Sequence, residues 1–281
     1  MSRTSVIAAC LAKACRLDVV AFKPGNVSLW AAGHAMTAAD FLLSARVAVP
    51  ALATAGARVG ARIEDAMRAT VAAVGCNTNL GIVLLLAPLA AAAERGGPLR
   101  PALGAVLAAL DRDDAAACFR AIALARPAGL GAVEAGDVHA PATMGLRAAM
   151  ALAAIRDRIA AAYVDDYAEV FERGLPTLIE YRARWRSLAW ATSACFVRLL
   201  AAAPDSHVAR KWGTTVAEDV WERARAVEST LKACENPRVL VARLRAFDDE
   251  LKSRGVNPGT SADLSVASVA VLLLRERLAR E

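Results

Sequence analysis

Alanine supplies 68 of the 281 residues, close to one in four. It is the strongest helix former, because it loses no side-chain entropy in a helix, whereas strands favour β-branched and aromatic residues. Aromatic residues make up only 5% of the chain. The expected fold class is therefore all-α. A hydrophobic content of 57% supplies enough apolar surface to offset chain entropy in one large core and excludes a disordered tail. No internal repeat and no linker divides the sequence, so residues 1–281 are expected to form a single large multi-helix domain.

Charge says little about partners. Thirty-four Lys and Arg against 28 Asp and Glu leave a net +6 spread over the chain. Neither a basic stripe nor interleaved stacking aromatics is present, so nucleic acid is not an expected partner, while small anions remain open. The six cysteines (Cys10, Cys15, Cys76, Cys118, Cys195, Cys234) form no C-x-x-C pair and no zinc spacing with histidine, and read as small apolar fillers in a reduced environment. Met1 to Arg16 lacks the apolar run of a signal peptide. The uncharged stretch between Arg68 and Glu94 is interrupted by the polar Gly75 to Gly81. What remains, Leu80 to Ala93, is too short to span a bilayer and reads as a buried helix. A cytoplasmic protein with no membrane partner is expected.

Apolar residues recur at helical spacing, as in Ile7, Leu11 and Cys15 or Val239, Leu240, Leu244, Phe247 and Leu251. The pattern predicts helices near 3–20, 38–55, 62–74, 80–93, 101–110, 113–124, 144–162, 165–173, 176–202, 206–233, 237–253 and 262–279. Thr37 with Asp40 and Ser261 with Leu264 read as helix starts, and Pro101, Pro176 and Pro237 suit a first turn.

Five polar, glycine-bearing segments interrupt the apolar runs: Phe22 to His34, Gly75 to Gly81, Gly129 to Pro141, Ala203 to Gly213 and Arg254 to Asp263. A helical bundle needs none of them for stability, which suggests a shared site at helix ends. In Lys23-Pro-Gly25-Asn26-Val-Ser28, lysine is a compact cation, glycine lets backbone approach a ligand, and Asn26 and Ser28 offer hydrogen bonds, or the segment is simply a common turn. Asn77, Thr78 and Asn79 precede the helix at Leu80, where free amides suit an anion or serve as a simple cap. Asp205, His207, Arg210 and Lys211 crowd one and a half turns, either gripping polyphosphate or forming a solvated charged helix start. Asp137 and His139 form a loop pair, structural or acid–base. Asp263 either complements a helix dipole or faces a cation or ribose hydroxyls.

The order Lys23 to Val27, Gly33-His34, Asp40 to Ala45, Gly75 to Gly81 and Asn257 to Leu264 resembles the triphosphoribosyl-dephospho-CoA synthase family over nearly the whole chain. The resemblance implies an all-α transferase. It breaks the adenine–ribose bond of ATP and joins the triphosphoribosyl unit to 3′-dephospho-CoA in prosthetic-group biosynthesis, releasing adenine. The sequence is similar to a divergent branch. Asp18 is the nearest acidic residue before the Lys-Pro-Gly turn, the usual Asn-Thr-His-Lys-Gly reads Asn77-Thr78-Asn79-Leu80-Gly81, with Asn79 in place of a histidine and Leu80 in place of a lysine, and Thr260 replaces a glycine of the family pattern. Transfer to another acceptor, such as a tetrahydromethanopterin-pathway precursor, and nucleotide binding without chemistry are the alternatives.

The resemblance, with the helix-terminus argument, implies phosphate or substrate contacts from Lys23, Gly25, Asn26, Ser44, Asn77, Thr78, Asn79, Arg210, Lys211, Gly259 and Ser261. Cleaving a ribosyl bond builds positive charge on the sugar and needs a proton donor for the base and an acceptor for the incoming hydroxyl. Asp40, Asp205 and Asp263 are the carboxylate candidates, for the ribosyl cation or for Mg²⁺ on the triphosphate, with Asp40 alternatively only the N3 member of the Thr37 cap. His34, His139 and His207 are the proton-transfer candidates. The apolar helices could also form a homodimer interface.

Overall fold

The computed structural model describes residues 2–31, 33, 36–129 and 136–279. Among them no strand occurs, only the isolated bridges Ser28 with Ala31 and Gly33 with Met36. The helices are α1 (Arg3–Val20), α2 (Ala38–Leu52), α3 (Val59–Val74), α4 (Leu80–Arg95), α5 (Leu99–Ala108), α6 (Arg112–Ala125), α7 (Leu146–Ala153), α8 (Arg158–Val164), α9 (Leu175–Trp185), α10 (Leu188–Leu200), α11 (Ser206–Trp212), α12 (Thr214–Lys232), α13 (Val241–Ser253) and α14 (Gly259–Leu278). A π-helical turn, Glu169–Gly174, leads into α9, and a 3₁₀ turn, Pro237–Leu240, into α13. The fold is all-α.

Two helices organise the rest. α14 is apolar or small nearly all round, as a helix sheathed by others must be. It packs against α1, α4 and α10, and one hydrophobic cluster runs from Ile7 to Leu274. α4 is buried over most of its length, as expected. Among the described residues no single helix is long and apolar enough to cross a membrane.

Pro88 sits inside α4. It has no N–H, so the carbonyl of Leu84, four residues earlier, loses its helical donor. Tyr163 Oη donates to that carbonyl at 2.7 Å, and Tyr167 Oη to Leu85 at 3.0 Å. Both tyrosines are fully buried. Asp166 and Tyr167 take left-handed backbone (φ 52° and 60°) to end α8. These bonds dock α8 on α4 and so fix one wall of the site. Tyr163→Phe is expected to cost about 1–3 kcal/mol by stranding the Leu84 carbonyl away from water, read by urea denaturation. An unchanged midpoint would show that the carbonyl finds another donor.

The predicted helices differ from the structure mainly where a long apolar run is cut. The span 144–162 divides because Asp157 caps α8, its carboxylate accepting the N–H groups of Ile159 and Ala160. The span 176–202 divides at Arg186, in the left-handed region, with Ser187 capping α10. The span 206–233 divides at Gly213, whose φ of 89° suits only glycine readily. The predicted helix at 165–173 is the left-handed break and the π turn. α14 starts at Gly259 rather than after Ser261.

Candidate active site

The five polar segments converge. Asn26 from the first, Gly75 to Gly81 from the second, Gly129, Gly136, Asp137 and Val138 from the third, His207, Arg210 and Lys211 from the fourth, and Asn257, Gly259, Thr260 and Asp263 from the fifth all line one cleft of about 1220 Å³. Apolar side chains such as Phe41, Val71, Leu84, Phe119, Ile122 and Met150 complete its walls.

Asp263 lies deep in the protein with one face open to the cleft. Its Oδ2 rests against Gly81 so closely that a Cβ on residue 81 would stand 2.0 Å away. No described residue donates a hydrogen bond to this carboxyl. Burial, and then the neighbouring Asp18 carboxylate, push it well above the usual carboxylate range, with Lys23 pulling the other way. Asp18, 2% exposed, lines the same cleft and is ion-paired to Lys23. The side of the cleft at the α4 N-terminus is therefore acidic. The helix amides there face the carboxyl groups of Asp18 and Asp263 rather than an unpaired cation.

Cations gather at the rim. Arg126, in the left-handed conformation that ends α6, Arg156 in the turn between α7 and α8, and Lys211 on α11 are exposed, line the cleft and pair with no described carboxylate. Arg156 donates to the carbonyl of Leu152, and Lys211 lies over the Trp212 ring. Arg210 donates to the Ala128 carbonyl at 3.0 Å and to Asp157 Oδ2 at 3.1 Å, tying α11 to α8. His207 leans over Gly259, its Nδ1 3.1 Å from where a Cβ there would sit.

Several candidates fall elsewhere. Asp40 is the N3 residue of a capping box, accepting the Thr37 N–H at 2.7 Å and hydroxyl at 2.8 Å; these bonds lower its pKa, and it lies off the cleft. Asp205 is fully buried with both oxygens engaged. Oδ1 accepts the N–H groups of His207 and Val208, and Oδ2 accepts the N–H (2.7 Å) and hydroxyl (2.8 Å) of Ser261. Asp205 is thus a clamp between α11 and α14, not a catalytic or metal-binding carboxylate, and Ser261 has no free amide for phosphate. Arg158 secures the same junction by donating to Ser261 Oγ at 3.1 Å.

Lys23 is sealed against Asp18 and does not line the cleft. Gly25 (φ 79°) is required by packing rather than by a ligand: its N–H donates to Asp248 at 2.7 Å, and a Cβ would meet Pro258 at 2.8 Å. Ser44 is buried behind the cleft, sharing a 2.5 Å hydrogen bond with Thr78 that holds the Gly75–Gly81 loop. Asn77 Oδ1 caps Leu80 at 3.1 Å, and Asn26 pairs with Asn257 at 2.9 Å. His139 is exposed off the cleft, its N–H bonded to Asp137. His34 lies outside the described residues. Cys76, expected as a core filler, is exposed on the cleft wall, whereas the other five cysteines are buried.

Sequence reasoning passed over Arg126, Arg156, Asp157 and the seat at Gly81. Asp157 carried a signal, an N-cap residue interrupting an apolar run; Arg126 and Arg156 carried none.

The family model for ATP:dephospho-CoA triphosphoribosyl transferase (CitG) matches residues 4–281. Among solved structures, one from Archaeoglobus fulgidus, assigned as a triphosphoribosyl-dephospho-CoA synthase, superposes with a TM-score of 0.67 at 24% identity, covering 83% of this chain and 97% of that one. At that identity the likeness establishes the fold. No curated protein sequence matches.

Proposed function

The chain belongs to the ATP:dephospho-CoA triphosphoribosyl transferase family, and we propose that the charge-divided cleft is where that reaction runs. The protein moves the 5-triphosphoribosyl group of ATP to 3′-dephospho-CoA and releases adenine. The C1′–N bond breaks with its electrons passing to adenine, a hydroxyl oxygen of the acceptor bonds to C1′, and the proton that the hydroxyl sheds balances the one adenine takes.

The observation that carries this reading is the separation of charge within one cleft: unpaired cations at the rim, carboxyl groups in the interior. A triphosphate belongs with Arg126, Arg156 and Lys211, since phosphate oxygens accept charge-assisted hydrogen bonds; Arg210, held by Asp157, lies beside them. That anchoring points the ribose inward. Positioning of this kind supplies a large part of the acceleration in a two-substrate reaction. Asp263, whose carboxyl burial makes it hold its proton to higher pH than an ordinary carboxylate, donates it to the departing base, and Asp18 adds negative charge at the same end while cationic character grows on the ribosyl ring. His207, the described histidine on the cleft wall, takes the hydroxyl proton.

No group of three or more metal-ligating side chains occurs among the described residues. Of the three carboxylates considered for Mg²⁺, Asp40 is off the cleft and Asp205 is saturated. This donor set does not fit a resident protein-bound ion; Mg²⁺ enters as part of the nucleotide substrate, held by phosphate oxygens.

The test is to incubate the protein with Mg·ATP, with and without 3′-dephospho-CoA, and to follow free adenine. Adenine that depends on dephospho-CoA is expected. Adenine released only with a different acceptor, or none under any condition, would overturn the assignment.

A further inference from the structure

Three helices meet the cleft with apolar side chains only, among the described residues. α2 sends Phe41, α3 sends Val71, and α6 sends Phe119, Ile122 and neighbouring alanine and leucine side chains, although all three helices carry aspartate and arginine on their other faces. Phe41, Val71, Ile122 and Ala123 are half-buried rather than sealed, so a ligand in the cleft can touch them. The wall is also preformed. α3 packs against both α2 and α6, and Arg120 on α6 donates two hydrogen bonds, of 2.9 and 2.6 Å, to the two carboxylate oxygens of Glu64 on α3. A contiguous apolar surface left open inside a cleft marks a place where something binds. No cation and no polar side chain stands on it to hold phosphate.

The donor nucleotide is accounted for elsewhere, its triphosphate with the rim cations and its ribose and base toward Asp18 and Asp263. A cleft of about 1220 Å³ exceeds the range of about 300–1,000 Å³ that suits one small ligand, which leaves room for the acceptor. That acceptor has two unlike halves: an anionic adenosine diphosphate and a long arm, pantetheine, that carries no charge. Arg126 at the end of α6 stands one helical turn beyond Ile122, so a molecule with its diphosphate near the rim can lay an uncharged arm along α6. We infer that the wall of α2, α3 and α6 binds the pantetheine arm of the acceptor, with Phe41 and Ile122 as specificity-determining contacts. A wall that crosses three helices suits an extended chain better than a single ring. The inference rests on the transferase reading for the identity of the acceptor. It adds the means by which a CoA-type acceptor is told from a bare nucleotide.

The experiment follows adenine release from Mg·ATP with two acceptors. One is dephospho-CoA; the other is the β-methyl ester of ADP, which keeps the adenosine diphosphate and its charge but ends in a methyl group where the arm begins. The parent is expected to favour dephospho-CoA by at least about 10-fold in kcat/KM. Ile122→Asn should raise the KM for dephospho-CoA by about 10-fold, the worth of most of one isoleucine's apolar contact, with the change in KM rather than in kcat. The ratio between the two acceptors then falls toward one. An unchanged ratio overturns the inference. So does an equal loss with both acceptors, which would place the wall on the acceptor's adenosine, and so does a rise confined to the KM for ATP, which would give the wall to the donor. Should Ile122→Asn not fold, Phe41→Ser on α2 carries the same expectation, and a parent with no preference between the two acceptors sinks the proposal by itself. Should the parent release no adenine with any acceptor, the transferase reading fails. Calorimetric binding of dephospho-CoA and of the methyl ester then tests the wall alone, and equal affinities in the parent overturn it.

Discussion

Replacement of Asp263 by asparagine is expected to slow adenine release by about 10²- to 10⁴-fold, the usual worth of a positioned general acid, while the helical circular dichroism is retained. Asparagine keeps the shape that rests against Gly81 but has no acidic proton to give. The pH dependence separates this role from mere positioning. In the parent, kcat falls as pH rises through the raised pKa of Asp263, because the donor form is lost; in Asp263→Asn that limb disappears. The stability sign follows from the same shift. Between the unfolded carboxyl value, near about 4, and the raised folded value, the native state binds more protons than the unfolded state, so stability declines as pH increases. Removing the group abolishes that decline, and the variant gains on the parent as pH rises through this window. An active variant with the parent's pH profile would remove Asp263 from the chemistry. A variant whose stability profile is unchanged would show that its carboxyl titrates normally.

This pairing of lost activity with gained stability at high pH is what separates a functional buried acid from a structural one. Asp205 is the contrast. It is more deeply buried than Asp263, yet four donors converge on its two oxygens, so its role is complete without a ligand. Asp114 is of the same kind, accepting from Arg58 and from the Gly60 N–H at 2.9 Å. Asp263, which has no such donors, lies in the cleft.

The legibility of the sequence follows from the same distinction. Alanine content and 3.6-residue periodicity were sufficient for the fold class and for most helices, because both report on local backbone preference and on which face is buried. They do not report a single residue in left-handed backbone, so Arg186 and the Asp166–Tyr167 pair were read as helix. The polar segments were legible as a site because loops rich in Gly, Asn and Asp at helix ends do nothing for a bundle core, and all five meet in one cleft. Roles within them were not. Asp205 and Asp263 are the same residue type near helix starts, and only tertiary contacts decide which carboxylate is consumed; Asp40 lies outside these segments, and its cap with Thr37, three residues earlier, is local. Lys23 looked available because Asp18 lies five residues earlier, across the end of α1, where no helical spacing pairs them. Arg126 and Arg156 sit at the ends of ordinary apolar helices, and their convergence is a property of the fold alone.

Gly81→Ala offers the second large effect, and helix propensity taken alone predicts the opposite of it. Residue 81 is the second residue of α4, where alanine would ordinarily gain about 0.5–1 kcal/mol over glycine. A Cβ there would stand 2.0 Å from Asp263 Oδ2, 2.6 Å from its Cγ and 2.7 Å from Ile159 Cδ1. The carboxyl must move by more than an ångström, and overpacking of this degree costs about 1–3 kcal/mol, more than the propensity gain. The expected result is a lower melting temperature and a loss of kcat of about 100-fold, the penalty for misplacing a catalytic group by an ångström. Gly104→Ala in α5 is the control: its Cβ would reach only ordinary contact distance, 3.4 Å from Asp166 Oδ2, so that variant should keep full activity and melt no lower than the parent. The two site substitutions should also be non-additive, as residues acting through one atom are. In an Asp263→Asn background, Gly81→Ala should remove little further activity. Independent, multiplying losses would mean that Gly81 serves something other than the seat of the Asp263 carboxyl, and full activity in Gly81→Ala alone would mean that this position of the carboxyl is not the one used in catalysis.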